Sequence, residues 1–467
     1  MLVILWTDAL IYLLLAVVAG FAWYAHRHEH LRAPWRQVLR SYQGAVAIVL
    51  LSVFVVIALL DSVHYRPVLS QNQADAAPQY SAEVLSLLDK LIMPLRAHDE
   101  KTYSAPFATH LFAKEMLTLP DGRQVRDYPR LRYGGAKLAD PQNRAADIAH
   151  TTLLSVVQCI VIWLLLVWLL AVVLARRTVS GTWAMLARLL RGATAIPWHV
   201  MLYTAGLLLL LIVLTGHLAV DYHIFGTDKV GQDVFYQALK SVRTGLVIGT
   251  LTTLIMLPFA VLLGIMAGYF RGWVDDVIQY LYTTLNSIPG VLLIAASVLM
   301  LQVYMANHPE LFETVAARAD LRLLFLCIIL GVTSWTGLCR LLRGEALKLR
   351  ELDYIQAAGA FGVGHFTIIA RHILPNVMHI VLISVVLDFS GLVLAEAVLS
   401  YVGVGVDPSM NSWGNMINSA RLEMAREPMV WWPLLAAFVF MFVLVLAANL
   451  FADVVRDAFD PRLRKDN

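Results

Sequence analysis

The chain has 467 residues, of which 59% are hydrophobic and only 15% are charged. Soluble domains carry about a quarter charged residues, so this composition excludes an ordinary soluble protein and predicts an integral membrane protein. The net charge of +3 is too small to favour nucleic-acid binding. The three cysteines lie in or beside apolar runs without metal-ligand spacing, which predicts small buried hydrophobic residues.

Apolar runs long enough for a membrane-spanning helix, about 17–25 residues, recur along the chain. Nine such runs lie near residues 2–24, 43–61, 151–175, 199–220, 243–268, 276–302, 322–341, 376–399 and 431–452. The first run has no basic residue before it and no small-residue cleavage site after it. We therefore predict a retained helix there rather than a signal peptide.

The distribution of arginine and lysine predicts the orientation of these helices. The segments 25–42, 176–198, 342–375 and 456–467 are rich in basic residues. All four lie on one side of the membrane if nine helices alternate. Because basic loops remain in the cytoplasm, we predict an external N-terminus and a cytoplasmic C-terminus.

Residues 62–150 form the largest predicted segment outside the membrane, on its outer face. Val84, Leu87, Leu88 and Leu91 have helical spacing, which indicates an amphipathic helix. The stretch LTLPDGRQV is typical of two short strands joined by an Asp-Gly turn. We predict a small external α+β insert.

The chain shows no energy source of its own. It lacks the GxxxxGK[ST] loop that cradles the phosphates of ATP. Ionisable residues deep in the apolar runs are few, namely Asp388 and Glu396, which disfavours a proton or sodium relay. His64 and His110 of the insert have no recognisable nucleophile–base partners, so an enzyme is also disfavoured. If the protein transports a solute, another subunit is expected to supply the energy.

Two clusters contain residue types that bind metals. In HRHEH, His26 and His30 would share one helix face, although cationic anchoring at the membrane surface is the more ordinary explanation. After the fourth apolar run the acidic and histidine residues are Asp221, His223, Asp228 and Asp233. Helix capping explains this second cluster better: Thr227 or Asp228 is the predicted N-cap, and Gly226 permits the preceding turn.

The most informative stretch is DYIQAAGAFGVGHFTIIARHILPN at 353–376. Residues 341–360 have the pattern of a helix with a charged, water-facing surface. Gly359, Gly362 and Gly364 interrupt it, and Pro375 marks the entry into the next apolar run. We predict a helix–turn–helix unit on the cytoplasmic side.

The tip of this unit is predicted to expose small residues together with larger apolar and aromatic side chains. Its exposed residues are predicted to be Tyr354, Ile355, Ala357, Ala358 and Phe361. Small residues allow close backbone approach, and an aromatic ring fills a pocket, as when a short helix docks in a groove of a partner protein. Packing of the tip against the chain's own loops is the alternative, and these patterns leave both open.

This stretch resembles the EAA loop of the inner-membrane permeases of binding-protein-dependent ABC importers. The greatest similarity is to the C-type subunit of the dipeptide/oligopeptide/nickel group. The matching positions are Ala357, Ala358, Gly362, Leu374 and Pro375. Gln356 stands where the loop has its first glutamate, and His372 stands at the isoleucine position.

Three further stretches match the same group in order, so that the resemblance covers about 199–460. FGTDKVGQDV resembles its Gly-Thr-Asp segment, with matching residues Gly226, Thr227, Asp228, Gly231 and Asp233. GYFRGWVDD followed by NSIPG resembles the third core helix and the segment before it. LAEAVLSYVGVGVDPSMNSWGNMI resembles a stretch that ends in Ser-Trp-Gly. The region before 199 departs from the pattern.

The resemblance implies an all-α integral membrane protein with a six-helix permease core at 199–455. The EAA loop would occupy 343–375 within that core. Three extra N-terminal helices and the small periplasmic insert would precede it. The remaining predicted domains are 1–61 with two extra helices, the insert at 62–150, a third helix and linker at 151–198, and a cytoplasmic tail at 456–467.

The resemblance also implies a function. The chain would be a non-catalytic, pore-forming permease subunit of an ATP-driven importer for peptides or similar small solutes, working by alternating access in the bacterial inner membrane. Its partners would be a second permease subunit, two cytoplasmic ATPase subunits that hold ATP and Mg, a periplasmic binding protein and the lipid bilayer. No cofactor is expected in this chain. A stand-alone secondary transporter or channel is the alternative.

The predicted site residues fall into three groups. ATPase coupling is assigned to Tyr354, Ile355, Gln356, Ala357, Ala358, Gly359, Phe361, Gly362, Gly364, Leu374 and Pro375. The periplasmic motif comprises Gly226, Thr227, Asp228, Gly231 and Asp233. Candidate gate or packing residues are Glu396, Ser400, Trp413 and Gly414.

Overall fold

The computed structural model describes residues 1–68, 80–118, 123–178, 181–308, 310 and 314–459, with the backbone alone at residues 30, 31, 177 and 178. The helices are α1 (Trp6–Arg27), α2 (Glu29–Arg40), α3 (Tyr42–Asp61), α4 (Leu87–Leu91), α5 (Met93–Ala97), α6 (Arg144–Thr178), α7 (Thr182–Arg191), α8 (Trp198–Asp221), α9 (Val234–Phe270), α10 (Trp273–Ser287), α11 (Gly290–Asn307), α12 (Val315–Ser334), α13 (Thr336–Arg350), α14 (Asp353–Ala360), α15 (His365–Ile368), α16 (Leu374–Tyr401), α17 (Trp413–Glu423) and α18 (Trp432–Phe459). The strands are β1 (Leu2–Val3), β2 (His64–Tyr65), β3 (Leu85–Ser86), β4 (Glu115–Thr118) and β5 (Gln124–Asp127).

Helix α9 forms the centre of the bundle and packs against α3, α12, α13 and α16. Its 37 residues span about 55 Å at the rise of an α-helix. A Cβ atom on Gly268 would lie 2.5 Å from the carbonyl oxygen of Arg343, so the α13 backbone can approach α9 closely only because this residue is glycine. We call the end where α9 begins the insert end and the opposite end the loop end.

The predicted membrane-spanning character is confirmed. In the described part of the chain, eight helices are long and apolar enough to cross a membrane. They are α1, α3, α6, α8, α9, α11, α16 together with α15, and α18. The remaining predicted run, 322–341, is helical in α12, but the first half of α12 carries Arg318, Asp320 and Arg322, and this helix is not among the eight. The count of nine spans therefore stays a prediction.

Two predicted helices are interrupted in the structure. The run 276–302 was predicted as one helix, which is wrong, because α10 ends at Ser287 and α11 begins at Gly290. Pro289 between them lacks a backbone N–H and disfavours helical geometry in the residue before it. The run 322–341 is divided between α12 and α13 at Trp335.

The N-terminal helices belong to the same bundle as the C-terminal half. Helix α1 contacts α9 and α12, whereas α3 contacts α9 and α18. Helix α2 lies along the loop end of α18, where Val38 is fully buried against Val454 and Val455. Helix α6 packs on α7 and α8. These contacts attach the extra helices directly to the predicted core.

A buried ion network joins α1 to α9 and α12. The Arg243 guanidinium of α9 lies 2.6 Å from a carboxylate oxygen of Asp8 and donates to the hydroxyl of Thr7 at 2.8 Å. The Thr7 hydroxyl in turn donates to Asp320 of α12, whose carboxylate lies 3.7 Å from Arg243. His64 contacts the second oxygen of Asp8 at 2.8 Å. All five residues are buried, so the network replaces the water these groups lose.

A second cation, Lys240, lies one turn before Arg243 on α9 and forms ion pairs with Asp61 and Asp89. The Lys240 ammonium lies 2.5 Å from Asp61 at the end of α3 and 3.0 Å from Asp89 of α4. Lys240 and Arg243 thus hold the N-terminal helices and the insert on one face of α9.

The insert contains short helices and strands, as its helical spacing and its turn signal predict. Strands β4 and β5 pair antiparallel, with Thr118 opposite Gln124, which confirms the predicted hairpin strands; the Asp-Gly turn lies outside the described residues. The predicted helix at 84–91 begins only at Leu87, because Ser86 caps α4 by accepting from the amide of Asp89 at 3.1 Å.

Candidate functional site

The candidate coupling surface lies at the loop end, between α13 and α16. A continuous helix over 341–360 was predicted, but the structure breaks it at Glu351 and Leu352, and α14 forms a separate short helix. Gly362 has a φ of +79° in the turn that joins α14 to α15, a conformation that favours glycine. A π-helical turn, Ile369–Ile373, then leads into α16. Pro375 lies in the first turn of α16.

Helices α14 and α15 and the turn between them form the coupling hairpin. One side of this hairpin is buried in the bundle. Ile355 is 3% exposed and Ile368 is 1% exposed, within the apolar cluster formed by α9, α10, α13 and α16. Ala358, one turn after Ile355, and Leu374 are partly buried against the same cluster. The prediction that Ile355 is exposed at the tip is therefore wrong, since its spacing from Ala358 places both on the core-facing side of α14.

The other side of the hairpin is exposed. Phe361 is 88% exposed, Phe366 is 84% exposed and Tyr354 is 47% exposed. The remaining predicted coupling residues on this side are Gln356, Ala357, Gly359, Gly364 and Pro375, all exposed. Sequence reasoning missed Phe366, although a second large apolar residue beside two glycines was a visible signal.

Polar contacts fix the hairpin to α9. The hydroxyl of Tyr269 lies 2.8 Å from Nδ1 of His365, and Arg350 donates to the carbonyl of Tyr269 at 2.6 Å. Arg343 forms a bidentate pair with Asp275 at 2.6 and 2.7 Å, which joins α13 to α10. The hairpin therefore combines a fixed base with an exposed aromatic tip.

Gln356, which replaces the glutamate of the EAA pattern, contacts only nearby Glu351 among the described residues through its side-chain hydrogen bonds. Its amide donates to the carbonyl of Glu351 at 3.3 Å. Glu351, which accepts from Gln356, also forms an ion pair with Arg271. A negative charge is thus present beside the tip, although position 356 itself is neutral.

The second predicted motif, FGTDKVGQDV, lies at the insert end and binds the insert. The hydroxyl of Thr227 accepts from the amide of Ser104 at 2.7 Å and donates to the carbonyl of Thr102 at 2.8 Å. A Cβ atom on Gly226 would lie 2.2 Å from the carbonyl oxygen of Ser104, and one on Gly231 would lie 1.8 Å from that of Glu100. Both glycines also have positive φ angles, +64° and +82°. The insert backbone can therefore approach this motif only because both residues lack side chains.

The predicted N-cap of α9 was wrong by several residues. Asp233 is the cap, and its carboxylate accepts from the amide of Tyr236 at 3.0 Å. Asp228 instead closes the preceding turn by accepting from the amides of Val230 and Gln232, both at 2.9 Å. Gly226 forms its turn as predicted. Asp228 and Asp233 are only five residues apart, so the sequence alone allowed either of them to be the N-cap.

His223 lies between two carboxylates where the insert meets α9. Its Nδ1 is 2.7 Å from Asp233 and its Nε2 is 3.5 Å from Glu100. Burial opposes the imidazolium, but pairing with Asp233 and Glu100 outweighs it and raises the pKa of His223 to about 9.

Glu100 is the insert's contribution to this site. Burial disfavours its charged form, but His223 and the backbone amides of Arg132, Tyr133 and Gly134 outweigh burial and lower its pKa to about 2. Those three amides donate at 2.9, 2.8 and 3.1 Å. Both partners are therefore charged at neutral pH, and the pair joins the insert to the start of α9.

We expect the insert contact to weaken as the pH rises from about 6.5 towards 9. The pKa of His223 rises from 6.5 to about 9 on folding, so its stabilisation is complete below 6.5 and is lost as the pH passes through 9. Thermal unfolding of the purified chain at pH 6–10 measures this loss. His223→Gln should remove the dependence in that range, whereas His110→Gln in the insert should keep it. An equal pH slope in His223→Gln and the parent would contradict the assignment.

The candidate gate or packing residues lie together between α16 and α17. Glu396 is 1% exposed and accepts from the hydroxyl of Ser400 at 2.7 Å. A Cβ atom on Gly414 would lie 2.5 Å from Cβ of Ser400 and 2.9 Å from Glu396. The Trp413 indole donates to the carbonyl of Ala238 in α9 at 3.1 Å. This burial and close approach favour the packing interpretation.

The metal alternatives gain no support from the geometry. His223 and Asp233 pair with each other, and Asp228 is held by backbone amides. The side chain of His30 lies outside the description, so its pairing with His26 stays untested. Within the described ranges, no group of three or more His, Cys, Asp or Glu side chains could hold a metal ion.

Comparison with known proteins identifies the family. The family described as "Binding-protein-dependent transport system inner membrane component" matches residues 260–465, a range that contains the hairpin. A glutathione transport system permease protein of Pectobacterium atrosepticum is 33% identical over 243 residues, which cover 52% of this chain and 73% of that protein. The chain belongs to this family.

Other relatives support the same assignment. A dipeptide transport system permease protein of Bacillus subtilis is 31% identical over 52% of this chain and 70% of its own length. An oligopeptide transport system permease protein of Mycobacterium tuberculosis is 31% identical over 52% of this chain and 77% of its own length. Members are permease components of transport systems, so the predictions of a multi-pass permease and of a non-catalytic chain are confirmed.

Proposed function

We propose that the chain is a pore-forming permease subunit of an ATP-driven importer for peptides or similar small solutes. The observation that carries this proposal is the hairpin at the loop end, with its buried base and exposed Phe361 and Phe366. Family membership supports a transport role, and the names of the relatives support peptides as the substrate class. The ATPase contact would use the exposed side of the hairpin.

The structure suggests how movement of the hairpin would reach the pore. Ile355 and Ile368 pack in the same cluster as residues of α9, α10, α13 and α16. Displacing α14 therefore requires these helices to move with it or the cluster to open, and opening buried apolar contacts is costly. We propose that the closing ATPase subunits displace the hairpin, and that the core responds as a nearly rigid body in an alternating-access cycle.

The remaining assignments belong to the same proposal. A second permease subunit would complete the pore, two cytoplasmic ATPase subunits would bind ATP and Mg, and a periplasmic protein would deliver the substrate. The loop end would face the cytoplasm and the insert end the periplasm of a bacterial inner membrane, with the N-terminus outside. The predicted boundaries at 61, 150, 198 and 455 are retained for the extra helices, the insert, the linker and the core.

We propose that the insert is a fixed part of the outer face. It is held by Thr227 and the His223 site before α9, and by Lys240 in the second turn of α9. Thr227 and Asp233 of the periplasmic motif take part in these contacts. We therefore propose that the motif of this chain binds the insert. A binding protein would then meet the insert as well as the core.

Reconstitution into liposomes tests the proposed function. We expect a labelled dipeptide or tripeptide to accumulate only when this chain, its second permease, the ATPase subunits, the binding protein and ATP are all present. ATP-independent uptake by the purified chain alone would overturn the proposal and favour a secondary transporter or channel.

A further inference from the structure

A groove between α1 and α2 at the loop end has no role in the transport function proposed above. Its volume is about 480 Å³. Its floor is apolar and includes Phe21, Ala22 and Trp35, and its basic side chains are His26, Arg32 and Arg36. Helix α2 separates these two kinds of residue, because Arg32 and Arg36 are one turn apart on one side while Trp35 and Val38 lie on another.

Within the described ranges, the two arginines of the groove have no acidic partner. Arg36 is exposed and Arg32 is partly exposed, and neither makes a hydrogen bond or an ion pair with any residue in the described ranges. The acidic residue of α2, Glu29, is exposed in its first turn and does not line the groove. By contrast, Lys240 and Arg243 at the other end of the bundle are fully paired. The groove therefore presents net positive charge over an apolar floor.

Neighbouring aromatic residues place the groove at the edge of the membrane. Trp23 is 61% exposed and Tyr24 is 50% exposed near the end of the apolar helix α1, and Tyr42 is 64% exposed at the start of α3. The Arg27 guanidinium lies 3.8 Å from the ring centre of Trp23. Exposed tryptophan and tyrosine at helix ends mark the level of lipid headgroups. These residues therefore place the groove near the level of the lipid headgroups.

We propose that this groove binds an anionic glycerophospholipid. One acyl chain lies on Phe21, Ala22 and Trp35, and the phosphate pairs with Arg32 and Arg36, with His26 beside it. Basic pockets between helices at the membrane surface recognise acidic headgroups in this way. A zwitterionic lipid would leave part of the positive charge unpaired, and a soluble phosphate would leave the apolar floor unused.

Bound lipid would strengthen the attachment of the N-terminal helices to the last helix of the core. Helix α2 already packs on α18 through the same tryptophan that lines the groove: the Trp35 ring lies 6.4 Å from Phe451 and 5.6 Å from Phe459, centre to centre. A lipid held between α1 and α2 would therefore hold α1, α2 and α18 together. Because it binds only the folded arrangement, it would raise the thermal stability of the chain.

Native mass spectrometry of the delipidated full-length chain tests this proposal. The chain would be titrated with phosphatidylglycerol and with phosphatidylcholine of matched acyl chains. We expect preferential binding of phosphatidylglycerol, and a loss of about tenfold or more in its affinity in the double variant Arg32→Gln/Arg36→Gln. Arg188→Gln/Arg191→Gln removes two exposed arginines from α7 and serves as the matched control, with affinity unchanged.

A second variant separates the acyl site from the charge. Ala22→Trp fills the exposed floor while keeping both arginines, and we expect it to weaken binding of both lipids. Glycerol 3-phosphate at equal concentration should neither bind measurably nor raise the unfolding temperature, whereas phosphatidylglycerol should raise that temperature in the parent and not in the double arginine variant. Equal binding of the two lipids, unchanged affinity in either groove variant, or equal loss in the α7 control would overturn the proposal.

Discussion

Phe361→Asp and Ala357→Glu are expected to reduce ATP-driven uptake at least about thirtyfold while leaving folding and membrane insertion intact. Phe361 is 88% exposed and Ala357 is also exposed, so neither substitution disturbs the buried base of the hairpin. A charge in a closed docking cleft would be desolvated without a partner. Aromatic anchors at interfaces contribute about 2 kcal/mol or more, which sets the expected factor. Uptake by reconstituted liposomes and retention of the ATPase on the purified permease measure the effect.

The matched control lies at the other end of the bundle. Leu422 is 71% exposed on α17, at the insert end, and Leu422→Asp introduces the same charge on an equally open surface. It should leave ATPase retention unchanged. If Phe361→Asp and Ala357→Glu retain the ATPase as well as Leu422→Asp does, the hairpin is not the docking surface.

Arg243→Met should lower the free energy of unfolding by about 3–5 kcal/mol, the usual cost of removing one member of a buried ion pair. The substitution removes the guanidinium that faces the buried carboxylates of Asp8 and Asp320, which are 0% and 1% exposed, and leaves Asp8 paired with His64 alone among the described ionisable groups. Thermal unfolding in detergent, followed by tryptophan fluorescence, should show a large decrease in midpoint.

Two further variants make this prediction specific. Arg243→Met/Asp8→Leu removes the stranded charge together with its partner and should recover part of the loss. Arg456→Met breaks the pair with Asp453, whose side chains are 52% and 55% exposed, and should change stability by at most about 1 kcal/mol. Equal midpoints for Arg243→Met and Arg456→Met would show that the network does not hold α1 on the core.

The membrane helices could be predicted from sequence because their signal is local. An apolar run of sufficient length is visible in any window, and the runs near 43–61 and 199–220 agree with α3 and α8 to within a residue or two. The break at Pro289 was visible as well, but the hydropathy of 276–302 outweighed it in the prediction. Arg243 was predicted only as the first residue of an apolar run, whereas it is the tenth residue of α9.

The contacts between distant segments could not be predicted in the same way. Arg243 and Asp8 are separated by 235 positions, and no pattern in either neighbourhood specifies the other. The same limit applies to Thr227, whose partners Thr102 and Ser104 lie in the insert. The motif at the coupling hairpin predicted an exposed tip that included Ile355 and left out Phe366. The division between buried Ile355 and exposed Phe366 depends on how α14 and α15 pack on the bundle.

Site-specific photo-crosslinking tests the central claim most directly. A photoreactive phenylalanine analogue would replace Phe361, and in a separate variant Leu422, in the full complex within its native membrane. We predict that irradiation links position 361 to a cytoplasmic ABC ATPase, identified by mass spectrometry, and that position 422 gives no such product. Absence of an ATPase crosslink at 361, or equal crosslinking at 422, would contradict the assignment of the hairpin as the coupling surface.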